Sequence, residues 1–144
     1  MYSTIKFLHS YWAYLVLIIL ILATFNALMK FFSDKEFSAK DFRISLFTLI
    51  VTHIQLLLGL ILYFVSPNGL QTIRMNGMGG LNSLSRLMAV EHPFVAILAV
   101  TFITIGYSKH KKKLTSKPKF KSLAIFYSLG LILILSRIPW SNWL

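Results

Sequence analysis

Four apolar runs, at 5–29, 44–65, 84–107 and 122–138, constrain this chain more than any other feature. A helix rises 1.5 Å per residue, so ~20 apolar residues cross the ~30 Å of hydrocarbon in a bilayer. Lipid offers the backbone no hydrogen-bond partners, so each run is expected to be a helix that satisfies its own backbone groups. The expected fold is therefore all-α: one domain over 1–144, a polytopic membrane protein built as an up-down bundle of four transmembrane helices. Pro139 closes the last and shortest run. Only 13% of the residues are charged and 56% are hydrophobic. A soluble domain carries about 25% charged residues, so the bilayer is the expected solvent.

The net charge of +11 invites a nucleic-acid reading, but its placement opposes one. Eleven of the fifteen Lys and Arg fall in two segments between apolar runs, Lys30 to Arg43 and Lys109 to Lys121. Basic loops between spans instead mark the cytoplasmic face of a membrane. The far side holds only Lys6, Arg74, Arg86 and Arg137. Both termini and the long loop 66–83, rich in Gly, Asn and Ser, are thus expected outside, with Trp140 and Trp143 in an interfacial aromatic belt. That topology suits a bacterial inner membrane. The first run lacks a small-residue cleavage site, which predicts a retained span rather than a signal peptide. The chain has no cysteine, which removes disulfides, iron–sulfur clusters and thiolate zinc sites.

Ionisable residues inside spans are costly and mark candidate sites. His92 is the most informative. A third helix starting at Pro93 would be too short to span, so it must start near Ser83 to Ser85, with one of those serines as its cap. Pro93 then lies inside the helix, and His92 lies ~12 Å below its outer end. Ala89, Ala96, Ala99 and Gly106 share the face of His92. Small residues of this kind serve either close helix packing or space for a flat ligand. His9 sits about one turn into the first helix, beside Tyr11 and Trp12, residues suited to a headgroup belt. His53 lies mid-span, ~18 Å below Val65, with interhelical hydrogen bonding as its alternative use. His110 shares the face of His92 but falls in "KHKKK", where a solvated histidine is expected. Glu91 is rotated ~100° from His92. It is placed to orient that histidine, to carry a proton, or to pair with Arg86 or Arg137.

Three histidines at such different depths do not make one compact tetrahedral metal site. Haem needs only one or two axial histidines and an apolar slot. In an up-down bundle the first and third helices are diagonal, so His9 and His92 can face each other across the core. Their depths differ by ~6 Å, which helix tilt absorbs. His53 with His92 is the alternative pair. Arg86 or Arg137 would suit haem propionates.

The segments "LHSYWAYLVL", "THIQLLLGLILYFVSP", "MAVEHPFVAILAVTFITIGYSK" and "SRIPW" together resemble a family of small four-helix bacterial membrane proteins labelled cytochrome b. More distantly, the layout is similar to one half of haem A synthase. The resemblance implies b-type haem, with His9, His53 and His92 as axial candidates, and electron transfer, with quinone or a respiratory complex as partners. The glutamate–x–x–histidine arrangement of haem A synthase is missing, because Glu91 is adjacent to His92. A cofactor-free accessory subunit of a respiratory complex is the alternative function.

Overall fold

A computed structural model describes residues 1–143. The chain forms α1 (Tyr2–Phe32), α2 (Ala39–Val65), a short surface helix α3 (Leu70–Asn76), α4 (Ser83–Lys112) and α5 (Ser116–Ser136). Single 3₁₀ turns follow at Met78–Gly80 and Trp140–Asn142. Four of these helices, α1, α2, α4 and α5, are long and apolar enough to cross a membrane. This is a multi-pass, all-α membrane bundle. α1 packs on α2 and α5, and α4 packs on the same two neighbours. α1 and α4 therefore face each other along one diagonal, as the up-down expectation requires.

The four spans fall where the sequence places them, but their ends differ for local reasons. α2 starts at Ala39 rather than 44, because Ser38 and Asp41 form a capping box. α4 continues five residues past Tyr107. Its last turn carries Lys109, His110, Lys111 and Lys112, and cations there complement the helix dipole. α5 starts at Ser116, and its Pro118 falls within the first turn, where a missing N–H costs nothing. The basic segments are thus largely helix ends, joined by the short connections 33–38 and 113–115.

α4 does begin at Ser83, but Asn82 is its cap: the Asn82 side chain accepts from the Ser85 amide at 2.8 Å. Pro93 lies inside the helix as expected. The turn before it, Leu87–Glu91, is π-helical. A proline cannot bond back to the carbonyl four residues earlier, and a π turn absorbs such an interruption without ending the helix.

The basic half of the bundle is densely packed. Leu20, Ala23, Ala27, Ile103, Phe120, Leu123, Ala124 and Tyr127 form its core. The Tyr127 hydroxyl donates to the Ser45 carbonyl at 2.8 Å, joining α5 to α2 across the second diagonal. Asp41 is 1% exposed and fully engaged. It accepts from Lys30 at 2.7 Å, from Asn26 at 2.9 Å, and from the Ser38 amide and hydroxyl, each at 2.9 Å. This lock ties α1 to the start of α2. The half of the bundle that holds His9 and His92 is packed less tightly and contains a cavity.

Candidate functional site

The cavity lies among α1, α2, α4, the end of α5 and the segment that follows it, and it is partly open. His9, Ala13, Gln55, Gly59, His92 and Ala96 are among its walls. The rings of His9 and His92 meet here, with centroids 6.2 Å apart and planes at 77°. They come from diagonal helices, so nothing but the interior of the bundle separates them. The two rings face each other across the core, as the diagonal order of their helices allows.

Each histidine is held by a different device. His92 Nδ1 lies 2.9 Å from the Arg137 carbonyl oxygen. A carbonyl only accepts, so Nδ1 carries the proton and donates, and Nε2 of the neutral ring keeps its lone pair. His9 is positioned through its backbone and by its neighbour. Gln55 Nε2 donates to the His9 carbonyl at 2.8 Å, and Trp143 Nε1 donates to the Ser10 carbonyl at 2.9 Å. Gly59 gives the imidazole room: a Cβ at that position would stand 3.1 Å from His9 Cε1. His9 Nδ1 and Gln55 Oε1 are buried and have no hydrogen-bond partner. Buried polar atoms without a partner are expensive inside a membrane bundle; Thr24 Oγ1 and His110 Nε2, outside the cavity wall, share that condition.

The small-residue face of α4 serves both of its expected purposes, at different heights. Ala96 lines the cavity beside His92. Ala99 and Gly106 instead pack on α5. A Cβ on Gly106 would stand 2.5 Å from Phe126 Cβ, and one on Gly130 would stand 3.2 Å from the Ala99 carbonyl oxygen.

The other expected site residues lie elsewhere. His53 is exposed on the outer face of α2, outside the cavity wall. Its Nδ1 donates to the Leu49 carbonyl at 2.8 Å, and its Nε2 stands 3.3 Å from Thr104 Oγ1 of α4. That is the interhelical use open to it from the sequence. Arg86 and Arg137 both pair with Glu91, at 3.0 and 3.5 Å, outside the cavity wall. The cation that does line the cavity is Lys6. Glu91 faces these two arginines rather than the His92 ring. Its carboxylate holds the Arg137 side chain, and the Arg137 carbonyl orients the ring.

His110 is a correction. It is 0% exposed rather than solvated. Because α4 runs on past Tyr107, the five-turn spacing from His92 keeps His110 on the inward face. Phe37, Phe42 and Tyr107 then enclose its ring, with centroids 5.5, 6.1 and 4.9 Å away. Trp12 and Trp143 also depart from a simple belt role. Trp12 donates to the Val51 carbonyl at 2.9 Å, and Trp143 stacks on Tyr14 at 4.7 Å while it walls the cavity. Asp41 was not among the residues singled out from the sequence, although Ser38-x-x-Asp41 is a readable capping signal.

Two imidazoles facing one cavity are the donors that a haem iron would require. His9 and His92 would be the residues to hold such a group, and their ring centroids stand 6.2 Å apart. A backbone carbonyl accepting from the distal nitrogen is also the usual support for a ligating histidine. The cavity encloses about 200 Å³. That is below the ~300–1,000 Å³ usual for organic ligands, so the volume fits a macrocycle only in part. Among the described residues, no group of three His, Cys, Asp or Glu side chains could hold a metal ion.

Comparison with family models, with curated proteins and with solved structures finds no match to this chain.

Proposed function

We propose that this protein is a membrane cytochrome b-like electron carrier that binds one b-type haem between His9 and His92. The observation that carries the reading is the 6.2 Å approach of two imidazoles from diagonal helices into one cavity. A haem held there supplies one-electron redox chemistry. The chain's own residues do the rest. The Arg137 carbonyl fixes the His92 tautomer, and Nε2, with its lone pair, would be the atom to hold the iron. Gly59 leaves space for the His9 ring, and Gln55 fixes the His9 backbone. Ala13, Ala96 and Val100 give the cavity apolar walls beside the pair.

On this reading the membrane is a bacterial inner membrane, the basic end of the bundle is cytoplasmic, and the site lies near the outer leaflet. Quinone, or the subunits of a respiratory complex, are its redox partners. The test is the absorption spectrum of detergent-purified protein before and after dithionite, with haem counted by pyridine haemochrome. One haem per chain is expected. No Soret band and no haem in protein made with ample haem supply overturns the proposal. The modest cavity volume favours a second reading, a cofactor-free accessory subunit of a respiratory complex. That reading predicts a colourless protein that co-purifies with partner subunits.

A further inference from the structure

A second concave site lies at the opposite, basic end of the bundle. It is a groove of about 490 Å³ on the outer surface between α1 and α2. Lys40 and Arg43, toward the basic end of α2, line it together with Ile19, Leu22, Ile44, Leu46, Phe47 and Ile50. We propose that this groove binds one anionic phospholipid, with the phosphate on Lys40 and Arg43 and an acyl chain along the aliphatic walls.

Three observations support this occupant. First, charge is segregated along the groove. Lys40 and Arg43 are one turn apart on one face of α2, close enough to share a single phosphate. From there to Ile50 the groove follows α2 for ~15 Å, and every other lining residue is apolar. A charged head on an apolar tail has this shape. Second, the two cations are free to act. Among the described residues neither makes a salt bridge, because the nearby Asp41 is turned inward and saturated by Lys30, Asn26 and Ser38. Third, the walls belong to bilayer-facing surface. Leu22 is 59% exposed, Phe47 48% and Ile50 45%, on helices long enough to span. Lipid tails reach these side chains directly. Basic pockets between transmembrane helices are a recurring way to hold anionic headgroups.

The proposal does not depend on haem. Its test uses detergent-purified full chain, with lipid retention read by native mass spectrometry against phosphatidylglycerol and phosphatidylcholine. One phosphatidylglycerol should be retained in preference to phosphatidylcholine. Each of Lys40→Gln and Arg43→Gln should weaken retention about fivefold, the scale of one cation near an anionic headgroup. Leu22→Trp should displace the lipid by filling the groove with both cations intact. Lys111→Gln, at the same end but outside the groove, should change nothing. Equal retention of the two lipids, or undiminished phosphatidylglycerol in the Lys40→Gln/Arg43→Gln double variant, overturns the proposal. Displacement of the lipid by millimolar inorganic phosphate also overturns it, since the groove would then be an anion site with no use for its walls.

Discussion

Gly130→Ala is a one-carbon change with a large expected effect. Its Cβ would stand 2.8 Å from Ile103 Cγ1, 3.0 Å from Ile103 Cδ1 and 3.2 Å from the Ala99 carbonyl oxygen. Ile103 and Ala99 are both 0% exposed, so neither can swing away. Ordinary carbon contacts begin near 3.4 Å, so α4 and α5 must separate by about half an ångström to accept the methyl group. Overpacking of this kind costs ~1–3 kcal/mol, and here the gain in helix propensity of Ala over Gly, ~1 kcal/mol, offsets part of it. The middle of that range, ~2 kcal/mol, less the propensity gain leaves an expected net loss of ~1 kcal/mol for Gly130→Ala. Gly130→Val, with two further carbons, should lose more. The control is Gly79→Ala, where nothing lies within 4 Å of the added Cβ. The assay is unfolding of each variant in the same mixed micelles, followed by circular dichroism. If Gly130→Ala and Gly79→Ala match the parent within ~0.5 kcal/mol, the close approach of α4 and α5 is wrong, because surface changes alone stay within that range.

Asp41→Ala should cost about 3 kcal/mol, measured the same way. This is the low end of the ~3–5 range for breaking a buried pair, because Lys30 is 30% exposed and can turn to solvent. Gly59→Leu should abolish haem retention while leaving the fold intact by circular dichroism, since its side chain enters the space of the His9 ring. Retained stoichiometric haem would remove Gly59 from the account. His53→Ala should keep full haem content, because His53 faces outward and touches Thr104. Loss of haem with an intact fold would restore the His53–His92 pairing.

The spans were legible because ~20-residue apolar runs have few other uses. The His9–His92 approach was legible too, from a depth count on each helix and the diagonal that up-down order imposes. What one helix cannot reveal is its rotation about its own axis. In a soluble bundle the apolar stripe sets that rotation, but lipid is as apolar as the core, so the stripe loses its contrast. His53 illustrates this: its depth was readable and its outward direction was not. His110 failed for a different reason. Its flanking lysines look like a solvated loop, but they sit at a helix end and only the histidine turns inward. Glu91 was readable as an ion-pair partner of Arg86 or Arg137. The partner of His92 was not, because it is the backbone carbonyl of Arg137, which sequence does not display.

The central claim is that His9 and His92 are the two axial ligands of one haem. Electron paramagnetic resonance of the ferric protein, with His9→Ala and His92→Ala alongside, tests it most directly. The account predicts a low-spin signal from the parent, and a high-spin signal or loss of haem in each variant. A low-spin signal of undiminished intensity in either variant would contradict it.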